Sequence, residues 1–404
     1  MNNRQGDLEM MQVFPNRSWA EIDLDVLAHN MREIRRITSP GAEVMAVVKA
    51  DAYGHGAIQV AKVLLENGAT RLAVSMLDEA IELRKHGITA PILTLSHTDP
   101  RRIPEVISYD LAQTVYAEDF AAALSAQAQK EHKQVCIHIK VDTGMGRIGY
   151  LTGMDSVEEI LRISKLPGIF VEGLFTHFAT SDETDYTYSE LQFDRFTKMA
   201  GILEKNGLSI PVKHVCNSAG ILRFPHMHLD MVRAGLIMYG MWPKGCPKPH
   251  MPVSLIPAMT LKSSIIHVKN LPAGSSISYG RHFVTGKDSV IATIPIGYAD
   301  GYSRRLSNRA DVLLQGKRAR VVGNICMDMC MIDVTDFERR PEISDEAVLF
   351  GTQTVGEHQY SLPVDEISDL LDTINYEITC LVGKRVPRVY LQSGNIVHMH
   401  SCIW

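Results

Sequence analysis

A chain of 404 residues, 45% hydrophobic and 22% charged, is long enough for two or three domains with a sizeable core and has the composition of a globular protein. Its mild net charge of −5, without a basic block, argues against nucleic acid and against an anionic membrane surface as partners. Seven scattered cysteines read as reduced thiols rather than a disulfide framework, and no stretch reaches the ~18–20 apolar residues of a membrane span.

Residues 1–17 read as a disordered extension. They lack the basic and apolar regions of a signal peptide, so the expected location is cytoplasmic. Asp25–Ile37 is an amphipathic helix. Val44–Val48 is short, apolar and valine-rich, as a fully buried strand would be. Lys49 follows where that strand meets its loop, at the sheet edge where α/β folds do chemistry. A partly desolvated lysine there tends to lose its proton and suits a Schiff base to a cofactor aldehyde; the alternative is a surface lysine closing the strand. Tyr53-Gly-His-Gly56 then turns into the helical spacing of Ala57–Glu66.

Strand-like runs continue at Leu72–Ser75, Ile92–Leu95, Gln113–Val115, Val135–Val141, Phe170–Thr176 and Lys213–Cys216. Helical stretches at Leu77–Lys85, Ala117–Lys130, Val157–Ser164 and Glu190–Lys205 separate several of them. This alternation predicts a parallel α/β fold, a (β/α)8 barrel over residues 18–250, with a doubly wound open sheet as the alternative. No Gly-x-Gly-x-x-Gly follows a first strand. Beyond a proline-rich boundary the rhythm changes to short β runs, predicting a smaller, mostly β domain over residues 251–404 with a short helix at Val364–Leu371. Cys326 and Cys330 have no partner pair for a zinc set, so no metal is expected. His226 with His228, and His398 with His400, are expected at the surface.

Several stretches together resemble the alanine racemases, which bind pyridoxal 5'-phosphate (PLP). They are AVVKADAYGHG around Lys49, KVDTGMGRIG (Lys140–Gly149), THFATSD (Thr176–Asp182), NSAG (Asn217–Gly220), VRAGLIMYG (Val232–Gly240), SYGR (Ser278–Arg281), IPIGYADGY (Ile294–Tyr302), ICMDM (Ile325–Met329) and INYEITC (Ile374–Cys380). They stand in family order, from about Ser18 to Arg388. The resemblance implies that the first strand, 18–24, pairs with the β domain. It implies a two-base racemisation of alanine, with Lys49 on one face of the substrate. Tyr279, reaching in from the partner subunit of a homodimer, would serve the other. Without the resemblance, Tyr279 reads as a half-buried aromatic at a strand end.

The same resemblance carries the remaining site. Arg233 would face the pyridine nitrogen as a permanent donor. That weakens the ring as an electron sink and favours a racemase over a decarboxylase, which would place an acid there. Arg147 would contact the cofactor's phenolic oxygen and the substrate carboxylate, held by a carbamylated Lys140. His177 would link Tyr279 to Arg233. Tyr53, Asn217, Ser218, the amides of Gly235 and Leu236, and Tyr376 would bind the phosphate side of PLP. Tyr298, Cys326, Met327 and Asp328 would line the partner's substrate entrance. Met327, Tyr279 and Tyr376 would crowd the substrate β-carbon, favouring a methyl group. The family role would be D-alanine supply for peptidoglycan. Three other readings stand beside this one: a serine or broader preference, a same-fold PLP decarboxylase, and a non-catalytic PLP binder.

Overall fold

The computed structural model describes residues 17–246 and 253–401. The expected disorder over residues 1–17 falls outside the described residues except at Arg17, which is placed and bonds Asp300 at 3.3 Å; the proposed domain boundary at 250 also falls outside them. The chain divides into two compact units: Leu27–Ile256, and the chain before Leu27 joined to the chain from Pro257 onward.

The first strand, β1 (Ser18–Asp23), belongs to the second of these units. It pairs antiparallel with Met259–Ser264 and parallel with Arg388–Gln392. Asp23 then caps the following helix, its carboxylate accepting from the Val26 amide at 3.0 Å. That helix, Leu24–Ile37, buries Leu27, Met31 and Ile34 along one stripe. Each such side chain contributes about 1.5–3 kcal/mol by leaving water.

Unit Leu27–Ile256 is the parallel barrel. Its strands are β2 (Glu43–Val47), β3 (Arg71–Val74), β4 (Ile92–Thr94), β5 (Ala112–Val115) and β6 (Val135–Asp142), to which the short β7 (Tyr150–Leu151) is appended; β8 (Ile169–Phe175), β9 (Val212–His214) and β10 (Met231–Ala234) complete it. The spatial order is β10-β2-β3-β4-β5-β6-β8-β9. Backbone hydrogen bonds from Asp230 to Lys213 (3.2 Å) and from Arg233 to Cys216 (3.0 Å) nearly close the ring between β10 and β9. Seven of these strands are visible as apolar runs. The eighth, β10, is not, because four residues with an arginine inside show neither an apolar run nor alternation. Inward-facing Met45, Val47, Ala73, Leu93, Ala112, Val212 and Met231 form one apolar cluster.

The second unit is mostly β, as the sequence rhythm predicts. Its main sheet carries, in order, Lys317–Arg320, Asp311–Leu314, Glu346–Val355, Met259–Ser264, β1, Arg388–Gln392 and Asn395–His400. A smaller sheet joins His267–Leu271, Ser289–Ile294 and Cys330–Asp333. The helix Val364–Leu371 is present, and a second, Asn375–Leu381, follows it. Arg388–Gln392 and Asn395–His400 form an antiparallel hairpin built into the sheet.

Among the described residues, no helix is long and apolar enough to cross a membrane, and no group of three or more His, Cys, Asp or Glu side chains could hold a metal ion. One surface expectation is corrected. His228 is buried, with Nδ1 accepting from the Ser39 amide at 3.1 Å and Nε2 bonded to the Ile221 carbonyl at 3.1 Å. Nδ1 ties the chain after the turn at Pro225–Met227 to Ser39, just past the end of the first helix, and Nε2 ties it to the helix Ser218–Arg223, which is why the histidine sits inward.

Candidate active site

Lys49 stands two residues past the end of β2, at the carboxyl mouth of the barrel. The residues after it do something the sequence does not announce. Ala50, Asp51, Ala52 and Tyr53 all have φ between 51° and 54°, a single turn of left-handed helix. For L-residues this costs roughly 1–2 kcal/mol each, and such strain persists only where surrounding contacts over-determine it. Those contacts are present. The Ala50 amide donates to Glu79 Oε1 at 2.6 Å, and Asp51 Oδ1 accepts from the Ala57 amide at 2.7 Å. Tyr239 donates its hydroxyl to the Val47 carbonyl at 3.0 Å and packs its ring against Tyr53 and His55, with centroids 5.0 and 4.5 Å away.

Tyr53 points its hydroxyl at Gly235. A Cβ on Gly235 would lie 3.0 Å from the Tyr53 hydroxyl and 3.7 Å from Ser218 Oγ. The Gly235 amide bonds Ser218 Oγ at 3.2 Å. Glycine is needed because two hydroxyls and a backbone amide converge there, a donor set suited to a phosphate. Leu236 continues the chain into a buried 3-10 turn. Asn217 is already engaged: its side-chain oxygen caps the helix Ser218–Arg223 through the Gly220 amide at 3.0 Å and accepts from Ser181 at 3.0 Å.

Arg233 on β10 is 4% exposed. Its two terminal nitrogens donate to the carbonyls of Thr176, His214 and Val215 and to His214 Nδ1, at 2.7–2.9 Å, with His177 Nδ1 at 3.4 Å. Nε makes no hydrogen bond to the described residues. Burial, with Arg147 adding, brings this guanidinium down to about 10, so it stays charged at neutral pH. His177 is driven well below the usual imidazole range, first by burial and then by Arg233.

Asp142, at the end of β6, organises the next loop. Its carboxylate accepts from the amides of Gly144, Gly146 and Arg147 at 2.9, 3.1 and 3.1 Å. Burial opposes its ionisation, but the Gly146 and Gly144 amides outweigh that and hold it low. The Arg147 side chain stands exposed beyond this loop. Lys140, two residues before Asp142, is buried, donates to the Val141 carbonyl at 3.0 Å and lies 5.4 Å from the Phe175 ring centre. Burial, followed by the charge of Arg233, pulls it down to about 7.

The second unit gathers its own set. Tyr279 is 69% exposed and follows Ser278, which has a φ of 65°. Asn324 ties the two strand ends, donating to the Tyr279 carbonyl at 2.7 Å and accepting from Ser278. A Cβ on Gly297 would lie 2.3 and 2.4 Å from the carbonyls of Cys326 and Met327, which accept from the amides of Tyr298 and Ala299. That close approach brings the exposed Tyr298 and Met327 together with the half-buried Cys326 and Asp328, and Arg385 bonds Asp328 at 2.8 Å. Tyr376 is half-buried on the helix Asn375–Leu381, elsewhere in the same unit.

Three polar side chains escaped the motifs: His138 and His214, which are buried, and Glu172, which is partly buried. His138 and Glu172 lie within β6 and β8, and His214 ends β9. The only signal was parity, since His138 shares the inward face of β6 with Lys140.

A lysine at the mouth of a parallel barrel with a donor cradle beside it, in a chain that also carries a separate, mostly β unit, is the layout of a barrel-type enzyme. Residues 22–243 match the family model "Alanine racemase, N-terminal domain" and residues 258–390 match "Alanine racemase, C-terminal domain", and the chain belongs to the alanine racemase family. It is 49% identical over 386 residues to the alanine racemase of Clostridium tetani, covering 95% of this chain and 98% of that one. With the alanine racemase of Methanococcus maripaludis it shares 49% identity over 373 residues, covering 92% and 98%. Among solved structures, the Clostridium difficile alanine racemase superposes with a TM-score of 0.90 at 40% identity, covering 96% and 99% of the two chains. The Bacillus anthracis alanine racemase, solved with bound L-Ala-P, gives 0.90 at 36%, covering 97% and 99%. The chain is thus an enzyme, and its family's reaction is alanine racemisation.

Proposed function

We propose that this enzyme interconverts L- and D-alanine with two bases, Lys49 on one face of the substrate and Tyr279 of the partner subunit on the other, and that it uses PLP. The observation that carries the reading is the strained turn after Lys49, whose far end delivers Tyr53 to the Gly235–Ser218 cradle. The donors present fit the cofactor: a phosphate would take the Tyr53 and Ser218 hydroxyls and the amides at Gly235 and Leu236, with Tyr376 contributing. Arg233 Nε–H is a charged donor not used by the described residues, suited to a ring nitrogen. When bound, PLP supplies the electron sink that makes the α-proton removable.

Lys49 Nζ then takes or returns a proton on its face, and the Tyr279 hydroxyl does so on the other. The exposure of Tyr279 supports action on a second copy of the chain, and so an obligate homodimer. Arg147 would orient the substrate carboxylate. Lys140, held near neutrality, has an amine lone pair that can bond the carbon of CO2 and release a proton, giving a carbamate that pairs with Arg147. Met327 with Tyr298 and Asp328 would guard the entrance. His177 would hold Arg233 from its far side, and Asn217 would act by fixing the helix that carries Ser218. D-alanine so made would serve peptidoglycan, from a cytoplasmic location.

The test is racemisation by purified protein with added PLP, comparing L-alanine, L-serine and L-lysine by chiral chromatography. Alanine is expected far ahead. Serine or lysine ahead would overturn the pocket argument at Met327 and Tyr376 while sparing Lys49. Growth of a D-alanine auxotroph carrying this chain would check the cellular role.

A further inference from the structure

A polar column crosses the barrel interior and no motif marks it. It starts at Arg233 on β10, whose Nη1 donates to His214 Nδ1 at 2.9 Å. His214 Nε2 lies 2.9 Å from His138 Nδ1, and His138 Nε2 lies 2.9 Å from Glu172 Oε2. Arg71 closes the far end, donating to Glu172 Oε1 and to Glu43 at 2.7 Å each. TIM-type barrels normally fill this space with branched apolar side chains.

With Glu172 and His138 between the two arginines, one proton arrangement satisfies the whole column. A guanidinium only donates, so His214 Nδ1 must accept. Its proton then sits on Nε2 and is donated to His138 Nδ1. His138 must in turn carry its proton on Nε2 and donate to Glu172, which Arg71 already holds as an acceptor. Two neutral imidazoles, both in the Nε2–H form, satisfy the whole column. Burial pushes both rings below their ordinary range, and the hydrogen bond from His138, helped by Arg71, keeps Glu172 ionised.

The backbone is shaped for this arrangement. The β6–β8 ladder slips between Ile137 and His138, so that Glu172 and Gly173 together stand opposite His138. Such a bulge re-aims a side chain. A Cβ on Gly173 would lie only 2.1 Å from His138 Nδ1. One of the two bulge residues makes room for the ring and the other supplies its acceptor.

We propose that His138 and Glu172 are positioning residues for Arg233: they set the tautomer of His214, so that a lone pair and not an N–H meets the guanidinium. This rests on Arg233 being the residue that faces the cofactor ring. With His214 reversed, two N–H groups would oppose each other and the guanidinium would turn from its place at the mouth.

The experiment is nitrogen NMR of histidine-labelled holoenzyme, with the two rings assigned by their loss in His138→Asn and His214→Asn. In the wild type both rings are expected as Nε2–H. In Glu172→Gln the amide oxygen must face Arg71, so the NH2 faces His138 Nε2 and both rings should reverse to Nδ1–H. In that variant kcat should fall about 10- to 100-fold, as for other residues that orient a functional group, with KM little changed. Glu172→Asp, which keeps the carboxylate, should retain Nε2–H and most of the activity. An Nδ1–H or doubly protonated ring in the wild type would overturn the proposal whether or not the variants fold. So would a Gln variant that keeps its tautomers, or one that reverses them at unchanged kcat. Arg233→Gln, read by the absorbance of bound PLP, tests the underlying reading separately. An unchanged spectrum would remove Arg233 from the cofactor ring, while the histidine tautomers would still report on the column.

Discussion

At the scale of single residues, the barrel mouth is defined by side chains placed in costly environments. Lys49 opens a turn of four left-handed residues, and Lys140 and Arg233 are basic groups buried near the same Phe175 ring. Replacing Lys49 with Ala should remove the near-visible absorbance of bound PLP, and an unchanged band would rule out Lys49 as its anchor. Tyr279→Phe should impair proton transfer on one face far more than PLP binding, measured by solvent-deuterium incorporation from each enantiomer. Equal loss of both would point to misfolding.

Lys140 makes a pH prediction with a definite sign. Folding lowers it to about 7 from the ordinary lysine value of 10.5. Between those limits the unfolded chain binds more protons, so uncarbamylated protein should gain stability as pH rises across that window. Denaturant titrations at several pH values under CO2-free conditions would show it, and Lys140→Met should flatten the slope. Labelled bicarbonate should give a carbamate carbon signal that this variant lacks.

At the scale of elements, the barrel strands do more than enclose a core. β6, β8, β9 and β10 each bring an inward polar residue to the same interior, and the bulge in β8 sets two of the contacts. Gly173→Ala should therefore cost more than a helix-interior glycine change, on the order of 1–3 kcal/mol from overpacking, because the new methyl group meets an imidazole that cannot withdraw. Thermal denaturation would measure it; a loss below about 0.5 kcal/mol, the range of an ordinary surface substitution, would mean that His138 can move. Gly235→Ala should act differently, weakening PLP affinity with little loss of fold stability, since its Cβ would press on the Tyr53 hydroxyl.

At the scale of the whole molecule, the exposed Tyr279 and its neighbours make sense if two copies complete one another's sites. Mixing inactive Lys49→Ala and Tyr279→Phe subunits should restore part of the activity, because one site of the heterodimer then carries both wild-type bases. No recovery in a proven heterodimer would count against sharing.

The amino-acid sequence by itself determined the α/β rhythm of the first part, the β rhythm of the second, the short helix Val364–Leu371 and the family. These are local properties: periodicity, punctuation and motif order are written along the chain. It also marked the barrel-mouth residues that lie in motifs, of which Tyr53, Ser218 and Gly235 converge, and Arg233 meets His177. Their roles remain proposals for the experiments above. The pairing of β1 with the β unit is expected from the family resemblance alone, since its ladder partners lie more than 230 residues away and no local pattern carries the contact. Only the tertiary structure decided the rest. β10 becomes a strand because its neighbours supply the hydrogen bonds that its four residues cannot advertise. The left-handed turn after Lys49 exists because Glu79, Asp51 and Tyr239 hold it against its own strain. The His214–His138–Glu172 column joins three strands through a bulge and a glycine, and a one-dimensional pattern cannot carry a contact made by the closing of a barrel.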